Sequence, residues 1–166
     1  MALVWLNRDP AHEPEPMARA EIIEQYQRAF NVINARLFDG SLPPIAILPG
    51  NEFDGVLSDA AACFVSDTDR VIPPRIYLQF DNPAEYGMDN DDISNLFHEM
   101  IHYLCYARNV KDIDTDRETD YHNEYFKKAV EEHGGTTEYI DTEYGYSGEL
   151  PEKTAWEIWW TIQDEL

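Results

Sequence analysis

Residues 91–107 read DDISNLFHEMIHYLCYA and predict a helix that is buried on most of its circumference. The two leading aspartates suit the N-terminus of a helix, whose dipole favours negative charge. Apolar side chains then cover nearly every face. Inside this helix lies HEMIH, residues 98–102. Because residues four apart stand one turn above each other on a helix, we expect the imidazoles of His98 and His102 to converge.

HEMIH carries the groups that a catalytic zinc site needs. Zinc accepts neutral imidazole, and a catalytic zinc keeps its fourth position open for water. Glu99 is turned toward the place of that water, as a general base must be. The alternative is a pair of histidines hydrogen-bonded at the edge of the core, but unpaired histidines are costly to bury among apolar side chains. We therefore predict bound Zn²⁺, with His98 and His102 as ligands and Glu99 as the catalytic residue.

A third ligand is expected on the next helix of the chain. Thr115 and Glu118 have the spacing of a capping box, and the glycines at 134 and 135 would end the helix that it opens. His122 would then lie on the inward face of this helix together with Phe126, and we predict His122 as the third metal ligand. Glu118, one turn before it, is the alternative and would give a site of two histidines and one glutamate.

The other candidate ligands fit such a site less well. His12 precedes the first predicted helix, and His133 belongs to a last helical turn, where it suits the helix dipole. Glu124 points away from the inward face. Cys105 follows HEMIH by one turn and is near enough to reach the edge of a metal site, although a buried, inert thiol is the commoner role.

The remaining elements predict an α+β fold. In residues 17–38 apolar positions recur every three or four residues, which indicates an amphipathic N-terminal helix. Short apolar or alternating stretches at 45–49, 61–67 and 75–81 predict a small antiparallel or mixed sheet of three to four strands. Residues 75–80 are also a candidate to pair with an extended substrate, unless this strand is covered or internal.

The chain is expected to divide into three segments. Prolines in residues 1–16 indicate a loose N-terminal lead-in, and residues 17–135 carry the motifs and the predicted elements of one domain. Residues 136–166 form a Tyr- and Trp-rich C-terminal segment that we expect to pack on that domain. A short helix with Pro151 in its first turn is predicted near the end of this segment.

The amino-acid composition limits the kinds of binding partner and the cellular compartment that we expect. The 33 acidic and 12 basic residues give a net charge of −21, which repels phosphate, so direct binding to nucleic acid is not expected. Two cysteines cannot build a disulfide framework or a four-cysteine zinc site. No stretch has the length and hydropathy of a signal sequence or a membrane span, and we therefore expect a soluble, cytoplasmic protein.

These motifs resemble those of the SprT-like, or Spartan-related, family of zinc metallopeptidases. The likeness rests on HEMIH followed by HNEYF at residue 122, and more loosely on NARLFDGSLPP at the end of the first predicted helix. It covers about residues 17–135. It implies hydrolysis of peptide bonds in protein or peptide substrates, three zinc ligands at His98, His102 and His122, and Glu99 as the catalytic acid and base.

The chain departs from the family pattern at two points. Members usually have glycine after the third histidine, where this chain has Asn123. With two cysteines and an excess of acidic residues, these 166 residues are not expected to contain the cysteine-rich zinc subdomain of many members or a basic DNA-binding tail. A role in the repair of DNA–protein crosslinks would therefore be inferred from the family alone, and the negative charge argues against it.

Two further expectations concern function. Tyr103, Tyr121 and Tyr125 are the candidates for stabilising an oxyanion, with no reason to prefer one of them. The alternative to an enzyme is a zinc-stabilised protein-interaction domain that docks a partner through the tryptophans at 156, 159 and 160, although such a stripe is more often core than interface. Glu99 argues against this alternative, because a structural zinc site has no use for a base.

The charge generates a first prediction, that the purified chain does not bind duplex DNA more tightly than about 1 µM at physiological salt. The longest run of basic residues is the pair Lys127 and Lys128, too few to offset the acidic excess. A fluorescence-anisotropy titration over several salt concentrations measures this. Submicromolar affinity with a steep salt dependence would contradict the prediction.

Overall fold

The computed structural model describes residues 19–50, 62–66, 73–78, 88–116 and 119–164. These residues form four helices: α1 (Arg19–Leu37), α2 (Asn90–Ala107), α3 (Glu124–Glu132) and α4 (Glu152–Asp164). They also form seven short strands: β1 (Ala46–Pro49), β2 (Ala62–Val65), β3 (Arg75–Leu78), β4 (Ile113–Asp114), β5 (Tyr121–His122), β6 (Tyr139–Asp141) and β7 (Gly145–Tyr146). The predicted α+β fold is confirmed. The predicted N-terminal lead-in, residues 1–16, lies outside the described residues.

The central helix of the fold is α2, which carries HEMIH. Its N-terminus is closed by a capping box, in which the Asp89 carboxylate accepts from the backbone N–H groups of Asp91 and Asp92, and the Asp92 carboxylate accepts from that of Asp89. The helix contacts all three other helices as well as β2 and β3. Because apolar side chains cover most of its circumference, each of these neighbours meets a hydrophobic face.

The first sheet is mixed and has the order β1-β3-β2. β3 is central, parallel to β1 and antiparallel to β2. Both of its edges are therefore paired, and the expectation that residues 75–80 bind an extended substrate is wrong for the described part, residues 75–78. The outer edge of β2 has no strand partner among the residues described above.

The second sheet has the order β4-β5-β7-β6 and corrects the sequence prediction between residues 115 and 134. Where we expected one helix carrying the third ligand, His122 lies in β5 and α3 begins only at Glu124. The reason is Asn123, whose side-chain oxygen accepts from the N–H groups of Tyr125 and Phe126 and so caps the helix.

The C-terminal segment packs against the rest of the fold through α4, which contacts α1 and α2. The buried face of α4 consists of Ala155, Ile158 and Ile162. Trp156 and Trp160 are 39% and 57% exposed, whereas Trp159 is partly buried and packs against the core, so the three tryptophans do not form one core face. None of the helices in the described part of the chain has the length and apolar character needed to cross a membrane.

Candidate metal centre

The helical spacing of HEMIH brings two imidazoles together, as the sequence predicted. The Nε2 atoms of His98 and His102 are 3.2 Å apart. His102 is buried and His98 is partly buried, on the side of α2 that faces β5 and the C-terminal segment. The two nitrogens therefore share one small space at the edge of the core.

The third histidine reaches this space from β5. Its Nε2 atom lies 3.2 Å from Nε2 of His102. One nitrogen from each of His98, His102 and His122 lies within 4.8 Å of the others, and the three can hold a metal ion. β5 is held in place by pairing with β4 on one side and β7 on the other, so the second sheet positions His122.

Hydrogen bonds on the far side of two rings set their direction. Nδ1 of His98 lies 3.0 Å from the carbonyl oxygen of Gly148, and Nδ1 of His102 lies 2.6 Å from Oδ2 of Asp112. A carbonyl or carboxylate oxygen only accepts, so each Nδ1 is the donor and carries the hydrogen. The Nε2 lone pairs of both rings are then directed into the shared space, the arrangement that metal-binding histidines use.

Burial and neighbouring charges shift the pKa values of the three imidazoles in different directions. Burial lowers the pKa of His98 to about 3 and that of His122 to about 4, and the proximity of His102 adds to both shifts. Burial alone would lower the pKa of His102 as well, but its bond to Asp112 and the nearby Glu99 outweigh this and raise that pKa. Two of the rings are thus held neutral, the form that binds a metal, and the surroundings favour one positive charge between the three.

Phe126 closes the inner side of the cluster. Its side chain is fully buried, and its ring centroid lies 4.2 Å from that of His122, 4.9 Å from that of His98 and 5.0 Å from that of His102. An aromatic ring offers these nitrogens no strong hydrogen-bond partner. It therefore supplies a rigid apolar floor that excludes water from beneath the cluster.

Two glycines let the C-terminal segment approach the histidines. A Cβ on Gly145, whose φ is +76°, would lie 2.1 Å from the backbone oxygen of His122. A Cβ on Gly148 would lie 2.8 Å from side-chain atoms of Phe126 and Val130. Since side chains do not tolerate such distances, glycine is required at both positions for the backbone to pass this close.

Glu99 lies on α2 between the two histidines but on the side of β2. It is buried, and the backbone N–H of Phe64 in β2 donates a hydrogen bond to its carboxylate. Burial raises the pKa of Glu99, while His102 and the bond from Phe64 oppose the rise. The carboxyl group is therefore within electrostatic reach of the cluster and is a stronger base, when ionised, than an exposed glutamate.

Beside the cluster lies a pocket of about 270 Å³. Its lining includes His98 and His122, so it opens directly beside the candidate metal position. The other lining residues are Ser94 and Asn95 of α2, and Ile140, Tyr144, Tyr146, Ser147, Gly148 and Glu149 of the C-terminal segment.

The remaining candidate ligands are not part of the cluster, as far as the structure describes them. Glu118 and His12 lie outside the described residues. Nδ1 of His133 lies 2.8 Å from the Ala129 carbonyl oxygen, and its ring stacks on another aromatic side chain. Burial raises the pKa of Cys105 to about 12, so this thiol stays protonated and inert.

Among the tyrosines proposed for an oxyanion, Tyr103 has another role. It is buried, and its hydroxyl donates to the carbonyl oxygen of Pro43. Tyr125 is largely exposed, and neither it nor Tyr121 lines the pocket. The tyrosines that do line it are Tyr144 and Tyr146, from a segment in which the sequence analysis named no site residue.

Sequence reasoning also missed the groups that orient the ligands. Asp112 stands in the polar stretch NVKDIDTD, and nothing in its local pattern distinguishes it from the neighbouring acids. Gly148 belongs to GYSG, residues 145–148, where two glycines in a Tyr-rich stretch were a signal of close backbone approach.

No protein-family model matches the chain, and neither a curated protein nor a solved structure shows significant similarity to it. The likeness to the SprT-like family thus rests on the motifs alone. The geometry of the three histidines is the observation on which a function has to rest.

We predict that the wild-type chain binds one metal ion and that His98→Ala, His102→Ala and His122→Ala each abolish this binding. Loss of an outer hydrogen-bond partner of a ligand lowers affinity by roughly 10–100-fold, and loss of the ligand itself should cost more. Metal content per chain and competition with a chelator measure the effect. His133→Ala is the control and should keep the metal. If His122→Ala retains full affinity, the assignment of the third ligand is wrong.

We predict that Gly145→Ala lowers both the melting temperature and the metal affinity. The left-handed conformation alone costs about 1–2 kcal/mol for a side chain, and here the backbone of His122 must also move. Gly40→Ala is the matched control, because Gly40 has a φ of +67° but nothing within 4 Å of an added Cβ. It should show only the conformational cost and unchanged metal affinity. Equal behaviour of the two variants would contradict the supporting role of Gly145.

Proposed function

We propose that this protein is a zinc-dependent metallopeptidase with His98, His102 and His122 as ligands and Glu99 as the catalytic acid and base. The observation that carries the proposal is the cluster of three imidazole nitrogens beside a buried carboxyl group. Each of two pairs of Nε2 atoms is separated by 3.2 Å. Zinc bound tetrahedrally at its usual distance from imidazole nitrogen holds its ligands about 3.3 Å apart, so the spacing fits.

The number and type of donors favour a catalytic site over a structural one. Structural zinc sites use four protein ligands, whereas catalytic sites use three and keep one position for water or substrate. The cluster found among the described residues has three histidines and no fourth ligand. Asp112 and the Gly148 carbonyl oxygen hold two of the rings from behind, as outer partners of zinc ligands do.

Zinc bound there would polarise a peptide carbonyl group and lower the pKa of water toward neutrality. The role of Glu99 is then to accept the proton of the attacking water and to return it to the leaving amine. Its buried position suits both steps, because burial raises its pKa toward the range in which a carboxyl group can both take and give a proton. The hydrogen bond from Phe64 limits the movement of the carboxylate.

The expected substrate is an extended stretch of polypeptide. β2 borders Glu99, and its outer edge has no strand partner among the described residues. An edge strand offers N–H and C=O groups with which a peptide backbone can pair. We therefore expect β2 to pair with the extended substrate, the role that the sequence analysis gave to residues 75–80. The SprT-like motifs support the same reaction, whereas the net charge of −21 does not favour a DNA-bound substrate.

A second candidate function is a zinc-stabilised protein-interaction domain. It is favoured by one observation, the exposure of Trp156 and Trp160 on α4, since exposed tryptophans are enriched in interfaces. This second function does not explain why Glu99 lies beside the cluster. Zinc would then contribute to stability only, and the chain would hydrolyse nothing.

Glu99→Gln is expected to lower peptide hydrolysis by two or more orders of magnitude while zinc content and melting temperature hardly change. Glutamine keeps the size and much of the hydrogen bonding of glutamate but cannot accept the water's proton. Hydrolysis of an unfolded protein substrate, followed by mass spectrometry, measures the effect. Glu132→Gln, on the exposed face of α3, is the matched control and should retain full activity.

Two results would decide against the mechanism. Equal activity of the wild type and Glu99→Gln removes Glu99 from the reaction. A zinc-loaded wild type that cleaves no substrate in a broad panel, but captures a partner that Trp160→Lys no longer captures, establishes the second candidate function instead.

A further inference from the structure

The pocket beside His98 and His122 has one wall made by the C-terminal segment, and the mechanism above uses only the Gly148 carbonyl oxygen of that wall. Six of its ten lining residues belong to residues 140–149. This stretch also lies outside the part of the chain that resembles the SprT-like family. Its role therefore has to be found in its own contacts.

The wall is attached directly to two of the candidate metal ligands. The carbonyl oxygen of Gly148 accepts from Nδ1 of His98, and the carbonyl oxygen of Tyr144 accepts from the backbone N–H of His122. The wall is thus fixed to a histidine at two points, Tyr144 and Gly148. Because Tyr144 is itself one of these points, its backbone keeps a constant position relative to His122.

The turn at residues 141–144 of the wall is held in one conformation by hydrogen bonds within the protein. The Asp141 carboxylate accepts from the backbone N–H groups of Glu143 and Tyr144, both at 2.8 Å. The hydroxyl of Thr119 donates to the carbonyl oxygen of Glu143 at 2.6 Å. Because the turn is already held in one conformation, a ligand that binds against it pays little conformational entropy.

The surface that the wall presents is largely apolar. Ile140 is 54% exposed and Tyr144 is 47% exposed, although both line a pocket. Tyr146, which also lines the pocket, is held by its hydroxyl bond to Glu124 and by an edge contact with Tyr139 at 5.4 Å. The apolar area of Ile140 and Tyr144 is therefore available to a bound molecule, and covering it would be favourable.

The size of the pocket limits how much of the bound molecule can enter it. Pockets that enclose a whole small-molecule ligand measure about 300–1,000 Å³. A volume of about 270 Å³ fits one large side chain of a longer ligand better. No lysine or arginine lines the pocket, and the one acidic lining residue, Glu149, is exposed.

We propose that this pocket is a substrate subsite that takes a large apolar side chain, such as leucine, methionine or phenylalanine, next to the bond that is cleaved. Ile140 and Tyr144 are the specificity-determining residues. The inference rests on the proposed metallopeptidase function, because it assigns to the pocket a part of the same substrate. It adds what that function leaves open, the class of sequence that is cut.

The test is cleavage of a degenerate peptide library by the zinc-loaded protein, with the cut sites mapped by mass spectrometry. The wild type should enrich leucine, methionine and phenylalanine at one position beside the scissile bond. Two matched peptides, with leucine or glutamate at that position, then give a ratio of kcat/KM values. Ile140→Lys should lower this ratio by about tenfold or more, since it replaces apolar surface by a positive charge.

Controls separate specificity from other effects. Trp160→Lys introduces the same charge at an exposed apolar residue that does not line the pocket, and its ratio should equal that of the wild type. Tyr144→Phe keeps the ring and removes the hydroxyl, so it should keep the ratio, whereas Tyr144→Ala should lower it. If Tyr144→Phe instead reduces kcat equally for both peptides and Tyr144→Ala leaves the ratio unchanged, Tyr144 acts on the reaction and the subsite assignment is wrong.

The remaining outcomes distinguish this inference from the proposed function. Cleavage with the same ratio in wild type, Ile140→Lys and Trp160→Lys overturns the subsite and leaves the metallopeptidase intact. A preference for lysine or arginine that Glu149→Gln removes also overturns it, because a charge would then select the substrate.

If the wild type cleaves nothing, the proposed function fails. The subsite is then tested by peptide binding instead of by cleavage. The Ile140 δ1 methyl group, labelled with ¹³C in zinc-loaded Glu99→Gln, should shift on addition of the leucine peptide and not of the glutamate peptide. The absence of any such shift overturns the subsite independently of activity.

Discussion

The convergence of imidazole lone pairs above an apolar floor is the constraint around which this structure is arranged. His98 and His102 turn their Nδ1 atoms to acceptors, so their Nε2 atoms face each other at 3.2 Å over the ring of Phe126. Lone pairs at this distance repel unless a positive charge lies between them. A metal ion bound there would join α2, β5 and the C-terminal segment, which are far apart in sequence. It would then be a structural element of the fold as well as a chemical one.

The central helix and its histidine pair were predictable because they depend on local periodicity alone. A spacing of four on a helix fixes both the burial of α2 and the approach of His98 to His102. His122 was also chosen by helical periodicity, but this periodicity does not apply to it because it lies on a strand. It meets the others because β5 presents it, while Asn123, read as a departure from the family pattern, caps the helix that follows. The structure brings His122 close to the other two histidines, but on a strand and not on the predicted helix.

Features that depend on contacts distant in sequence escaped the sequence analysis. Strands of two or three residues, such as β5 and β7, are too short to show a period, so the second sheet left no readable pattern. Asp112 is one acid among 33, and only the fold sets it 2.6 Å from His102. The sequence analysis could not decide the role of the α4 tryptophans for a related reason: small and β-branched residues fill the buried face of this helix, so Trp156 and Trp160 stay exposed while Trp159 packs against the core.

The C-terminal segment connects the chemistry of the site to the stability of the core. Its wall is bonded to His98 and His122, and its helix packs on α1 and α2. Between these two ends the backbone N–H of Leu150 donates to the hydroxyl of Ser94, one turn before His98 on the same helix. A metal ion bound by the histidines would therefore also stabilise the wall, and a molecule bound in the pocket would stabilise the histidines. By thermodynamic linkage, whatever strengthens one of these bindings strengthens the other by the same factor.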